Sequence, residues 1–222
     1  MASAQRISGY DDPQQFRFAG AMEGVPEYAA AAPASAGPNV SNSSGSALTA
    51  QGSWYSDAGG VETSGGLYAW QESGASSAYL EYFEQVGAWV DCTPADETDE
   101  FYGFQGEFRY GFGEGTLKIS RGSADAQASG TLETFTTSID ECTGDYNESA
   151  GGSVEVSLDL VANGPKVMER GTSSFKIPSE FNSHSSYSTT SRSAAGTATI
   201  GGSEIAVDGG IGMVSWRDHG NG

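Results

Sequence analysis

Alternation of apolar and polar side chains is the feature that most restricts the fold of this chain. The alternation is clearest where four apolar residues are separated by polar ones: Val154, Val156, Leu158 and Leu160. Successive side chains of a β-strand point to opposite faces, so this pattern indicates a strand with one buried face and one wet face. Similar segments recur along most of the chain, and they predict nine or more short strands.

Turn signals separate several of these segments, among them Asn163-Gly164-Pro165, Gly201-Gly202 and Gly209-Gly210. Because no helical segments lie between the strands, the expected fold is all-β and mostly antiparallel. We expect a two-sheet β-sandwich, with a partly closed β-barrel as the alternative. One strand is ambiguous, since the spacing of Tyr82, Val86 and Trp89 also suits a short helix.

An aromatic stripe follows the same two-residue period. Its members are Tyr102, Phe104, Phe108, Tyr110 and Phe112, with Gly106 between them. They fall on one face of a strand or hairpin, and aromatic residues in strands most often pack in the core. The stripe is therefore expected to be core.

The chain divides into three parts on composition. Residues 1–46 include an Ala/Ser/Pro/Asn/Gly tract typical of linkers, and they predict a flexible N-terminal segment. Residues 47–217 form one β domain, because an all-β domain of this length is often a single unit. Residues 218–222 are expected to be a polar tail.

The chain is strongly acidic. Twenty-nine acidic residues face ten basic ones, for a net charge of −19 in 222 residues. This balance repels phosphate backbones and anionic lipids, which argues against nucleic-acid partners and electrostatic membrane docking. No segment approaches eighteen apolar residues, so no transmembrane helix is expected.

Cys92 and Cys142 are the two cysteines, and they form either a disulfide or two reduced thiols. Both lie in loop-like Asp/Glu/Thr/Gly sequence rather than among apolar residues, which favours the disulfide. A disulfide implies an oxidising compartment and hence an extracellular or cell-surface location. The first twenty residues, which lack the pattern of a secretory signal, oppose that location.

Acidic residues flank both cysteines. The candidate metal ligands are Asp91, Asp96, Glu97, Asp99, Glu100, Asp140, Glu141 and Asp145. A disulfide would bring the two acidic loops together, and Ca²⁺ accepts many oxygen ligands from flexible loops. Ca²⁺ is thus the one candidate cofactor, and the alternative is a solvated acidic rim without metal.

Aromatic residues supply a second candidate site: Trp54, Tyr55, Trp70 and Trp89. Exposed aromatic rings serve as platforms for sugar rings, although aromatic residues in strands more often pack against each other. No catalytic residue is predicted, because neither His184 nor His219 lies in a recognisable motif. Paired carboxylates leave a hydrolase as a distant alternative.

The segments SVEVSLDLVANGP and FNSHSSYSTTSRSAAGTATIGG resemble uncharacterised, Ser/Thr-rich, all-β bacterial proteins that are often exported. The resemblance covers about residues 130–216 and implies no activity. Together these observations predict a noncatalytic, extracellular or surface-associated structural or binding module. The partner is an unidentified protein or glycan, with a Ca²⁺-stabilised carbohydrate-binding β-sandwich as the alternative.

Overall fold

The structure, a computed structural model, describes residues 41–94, 100–177 and 181–221, and within these ranges the chain forms nine strands and no helix. The strands are β1 (Ser41–Ala58), β2 (Val61–Glu72), β3 (Ala78–Asp91), β4 (Tyr102–Ile119), β5 (Asp125–Asp140), β6 (Asp145–Ala162), β7 (Val167–Ile177), β8 (Phe181–Ile200) and β9 (Ser203–Asn221). The predicted all-β, antiparallel fold is confirmed. A helix capable of crossing a membrane is absent from the described residues.

The strands form one antiparallel sheet in the order β6-β5-β4-β3-β2-β1-β9-β8-β7. A further ladder joins residues 156–162 of β6 to residues 194–200 of β8, so the sheet closes on itself over this stretch. The other half of β8 pairs with β7 instead. The sheet is therefore only partly closed. This matches the partly closed β-barrel, which the sequence predicts as the alternative to a two-sheet sandwich.

Two parts of the sheet project beyond the closed stretch, at opposite ends. The disulfide extension consists of β3 to β6 where they run past the β1–β2 and β8–β9 turns. The serine extension consists of β7 with the paired parts of β8, β9 and β1 that run past the β2–β3 turn. These extensions give the molecule two surfaces of different chemistry.

The core lies on the inner face of the closed stretch. Its largest fully buried side chains are Leu67, Leu80, Leu132, Leu158, Leu160 and Ile211. Each such burial stabilises the fold by about 1.5–3 kcal/mol. Val156, Leu158 and Leu160 all belong to this cluster, with Val154 packed against it, so the buried face predicted for this strand is confirmed.

The aromatic stripe of β4 lies outside the main core cluster, contrary to expectation, and of its members Phe104 alone is buried. Its residues lie on the outer face, and Tyr102 and Phe112 are exposed. The inner face of β4 carries Gly111, Gly113 and Gly115 opposite the buried side chains of β3. The interior is narrow there, since a Cβ on the neighbouring Gly130 would lie 2.5 Å from Leu80 Cδ1. Large rings do not fit this face and take the other one.

Several boundaries differ from the sequence prediction. β1 begins at Ser41, inside the expected N-terminal segment, and β9 continues through the expected tail; residues 1–40 lie outside the described ranges. Residues 81–90, for which the sequence predicts a strand with a short helix as the alternative, are strand as predicted. Gly201 and Gly202 form the predicted turn with φ of 57° and 85°, whereas Gly209 and Gly210 lie within β9. There Gly209 approaches the β1 backbone too closely for a side chain.

Candidate functional site

The outer face of β3, β4 and β5 carries a set of aromatic side chains that we call the outer aromatic face: Phe83, Trp89, Phe104, Phe108, Tyr110, Phe112 and Phe135. Strand register brings them together. Phe83, Tyr110 and Phe135 are direct cross-strand partners in one row, and Trp89 faces Phe104 further along. Rings on one face of neighbouring strands meet because the strands are only about 5 Å apart.

The rings of this face contact each other. Phe135 stacks on Tyr110 and on Phe112, with ring centroids 5.3 Å and 5.9 Å apart. At the other side, Phe104 lies 5.9 Å from Trp89 in an edge-on arrangement and 5.7 Å from Phe108. Such pairs contribute about 0.5–1.5 kcal/mol each beyond burial. The face is therefore a preformed surface rather than a set of independent side chains.

Much of this aromatic surface is open to solvent. Trp89 is 55% exposed, Phe112 46% and Phe83 38%, whereas Phe104 is buried at 3%. Phe104 is buried because its ring covers Gly87 and Gly106, where a Cβ on Gly106 would lie 2.7 Å from the ring. Glycines under an aromatic ring allow the ring to lie flat on the sheet. Phe104 thus anchors the face, and Trp89 and Phe112 expose much of their surface to solvent.

Carboxylates border the exposed rings. Glu81 and Glu133 are the cross-strand partners of Phe112 on its two sides, and Tyr110 Oη donates a 2.7 Å hydrogen bond to Glu148. Partial burial desolvates Glu81 and raises the pKa of its carboxyl. Burial raises the pKa of Tyr68, the partner of Glu81 on β2, and the Glu81 carboxylate raises this pKa further. Hydrogen-bond acceptors therefore lie at the edge of a flat apolar surface.

The four aromatic residues predicted from sequence do not form one site. Trp54 lies on the inner face, where it stacks on Tyr82 at 6.4 Å between ring centroids. Trp70 stacks on Trp216 at 6.0 Å near the serine extension. Tyr55 is exposed on β1, and Trp89 alone belongs to the outer aromatic face. The four stripe residues of this face, Phe104, Phe108, Tyr110 and Phe112, were not predicted as a candidate site because the sequence pattern indicated core packing.

Cys92 and Cys142 form the predicted disulfide, with their Cα atoms 5.3 Å apart. The bond joins the end of β3 to the turn between β5 and β6. The carboxylates beside it accept backbone hydrogen bonds: Asp91 accepts one from the Thr93 amide of its own loop at 2.9 Å, and Glu141 accepts one from the Phe104 amide of β4 at 2.8 Å.

The other predicted metal ligands are hydrogen-bonded, exposed or outside the described residues. Asp140 accepts hydrogen bonds from the Cys142 amide and from Gln105, whose side chain is the main cause of the lowered Asp140 pKa. Asp145 accepts one from Thr143, and Glu100 is exposed. Asp96, Glu97 and Asp99 lie outside the described residues. Among the residues that are described, no three potential ligands are grouped closely enough to hold a metal.

The histidines lie in the serine extension, where His184 and His219 are cross-strand partners. His184 Nδ1 is 2.8 Å from Ser174 Oγ, a serine ten residues away rather than a sequence neighbour. Because the contact between His184 and Ser174 depends on the register between β7 and β8, no short-range sequence pattern indicates it.

On the inner face of β4, the partly exposed Arg109 forms salt bridges with Glu84 at 3.2 Å and with Glu107 at 2.7 Å. The hydrogen bond to Glu107 is the main cause that raises the Arg109 pKa. The Arg109 guanidinium thus pairs with both carboxylates.

Neither a protein-family model nor a curated protein sequence matches this chain.

Proposed function

We propose that this chain is a noncatalytic binding module that binds a neutral polysaccharide through the outer aromatic face. The observation that carries the proposal is the contiguous, partly exposed set of stacked rings on β3 to β5, bordered by carboxylates. An exposed aromatic patch of this kind marks an interaction surface.

The chemistry of the face fits sugar rings. The apolar faces of a pyranose stack on flat aromatic rings, and Trp89 and Phe112 offer such surfaces. Glu81 and Glu133 lie beside Phe112 and can accept hydrogen bonds from sugar hydroxyls. The net charge of −19 disfavours an anionic polymer at a surface bordered by carboxylates. A neutral polysaccharide therefore fits better than a charged one.

An exported or surface-associated location forms part of the proposal. The disulfide supports it, since disulfides persist in oxidising compartments. This function requires neither catalysis nor bound Ca²⁺; the Ca²⁺ site and the carboxylate-based hydrolase stay alternatives predicted from the sequence.

The test is binding to a panel of neutral polysaccharides, insoluble ones by pull-down and soluble ones by affinity electrophoresis. Trp89→Ala and Phe112→Ala should each weaken binding at least tenfold, because each removes a stacking surface worth more than about 1.4 kcal/mol. Both side chains are exposed, so their loss should leave the fold intact.

Val161→Ala is the matched control, because Val161 is an exposed apolar residue of β6 that lies away from the face. This variant should bind like the unmodified protein. Absence of binding to the whole panel, or equal binding by the Trp89 and Phe112 variants, would contradict the proposed function.

A further inference from the structure

The serine extension contains an open groove of about 800 Å³, remote from the outer aromatic face. Its lining is rich in hydroxyl groups, with serines from β1, β8 and β9: Ser44, Ser46, Ser186, Ser188 and Ser215. Arg170 of β7 and Arg217 of β9 also line it. The groove thus combines two guanidinium groups with many small hydrogen-bonding side chains.

Strand register places these groups on one face of the extension. Arg170 is the partner of Ser188, which is in turn the partner of Ser215 and so of Ser46. One row further along, Arg217 lies opposite Ser186 on one side and Ser44 on the other. Residues paired across antiparallel strands point to the same face, and residues two apart along a strand do so as well.

The charge of the groove is opposite to that of the chain as a whole. Two arginines line it, whereas the one carboxylate among its lining residues is Glu72. The chain overall carries nearly three acidic residues for each basic one. A local excess of positive charge is therefore not explained by composition.

No carboxylate of the described residues forms an ion pair with either guanidinium. Within the described ranges, the ion pairs are those of Arg109 with Glu84 and Glu107. Arg170 contacts the thioether of Met168 at 3.5 Å, and Arg217 makes no ion pair with a described residue. Although the chain has 29 acidic residues, neither arginine of the groove pairs with a described carboxylate. Their guanidinium N–H groups are therefore available to bind a ligand.

We propose that this groove binds an oxyanion group, namely a carboxylate, sulfate or phosphate, carried by a small or extended ligand. A guanidinium presents a planar fork of donors that matches the oxygens of such groups. The hydroxyls of Ser44, Ser46 and Ser188 supply further donors, whereas those of Ser186 and Ser215 donate to the backbone carbonyls of Arg217 and Ser188. The Cα atoms of Arg170 and Arg217 lie about 12 Å apart, from two strand spacings and a two-residue offset along the strands, so an anion between the two rows can contact both side chains.

Isothermal titration calorimetry of the full chain tests this site, with inorganic sulfate, inorganic phosphate and a galacturonic acid trisaccharide as three separate probes. We expect saturable binding of at least one probe, weakened by added NaCl because the contacts are ionic and exposed. The three probes distinguish the possible sources of the oxyanion: a free inorganic ion or a carboxylated sugar.

Arg170→Gln and Arg217→Gln should each reduce the affinity about tenfold or more, since a lost hydrogen bond to a charged group has an effect of this size. Arg121→Gln is the control, because Arg121 is exposed in the β4–β5 turn, outside the groove lining, and its loss changes the net charge equally. Arg121→Gln should leave binding unchanged.

Lack of binding for all three probes at millimolar concentration would overturn the proposal, as would equal loss of affinity in the Arg121 control. The groove variants should keep the neutral-polysaccharide binding proposed for the outer aromatic face, so failure of one site is separable from failure of the other.

Discussion

Removal of the Cys92–Cys142 disulfide should destabilise the protein substantially. The variant is Cys92→Ala combined with Cys142→Ala. The bond joins residues 50 apart in sequence and connects β3 to the β5–β6 turn, on both sides of β4. Without it, the unfolded chain regains the freedom of a long loop.

The expected magnitude follows from that loop. On the chain-entropy model, a closed loop of this length contributes about 4 kcal/mol to the free energy of unfolding. Both cysteines are only half-buried, so alanine at these positions should leave no large core cavity. For a domain of this size, a loss of about 4 kcal/mol lowers Tm by roughly 10 °C.

The assay is urea denaturation followed by tryptophan fluorescence, with and without dithiothreitol. Reductant should lower the stability of the unmodified protein to that of the double variant and should have no effect on the variant itself. A difference below about 1 kcal/mol, or two free thiols in the native, unreduced protein, would refute the reasoning.

Four further outcomes are expected. Leu80→Ala should cost about 2–5 kcal/mol in urea denaturation, because Leu80 is fully buried; a loss under 1 kcal/mol would count against the assigned core. Gly106→Val should cost about 1–3 kcal/mol, because its side chain collides with the Val86 carbonyl as well as with the Phe104 ring, and an unchanged Tm would contradict the close packing at Gly106. The raised Glu81 pKa means that the folded state binds this proton more tightly than the unfolded state, so the free energy of unfolding falls as pH rises through that pKa. Glu81→Gln should remove this fall and slightly raise Tm at pH 7. If the variant and the unmodified protein showed the same dependence of stability on pH, this prediction would be wrong. Calcium added after chelator treatment should raise Tm if the loops near the disulfide bind it, and an unchanged Tm would end the calcium hypothesis.

The strands and their buried parity in β6 could be predicted from sequence because alternation is a local property. Val156, Leu158 and Leu160 all face the core, as their spacing indicates. The turn at Gly201 and Gly202 was predictable for the same reason, since both residues adopt the positive φ that glycine permits. The disulfide was favoured by the loop-like sequence around each cysteine.

The candidate sites could be predicted only in part. Alternation placed the β4 aromatic residues on one face together but did not specify which face. That choice depends on Leu80 of β3 and Gly130 of β5, which leave no room for large rings inside. The serine groove joins residues of β1, β7, β8 and β9, which are distant in sequence. No local pattern connects Arg170 with Arg217.

Sequence alone thus determined the strand class, the approximate strand positions and the acidic character of this protein, because these depend on short-range periodicity and composition. The tertiary structure decided which face of each strand is buried where both are apolar, how far the sheet closes, and which side chains share a surface. Those properties depend on register between distant strands and on the space available inside the sheet, and neither is encoded within a single segment.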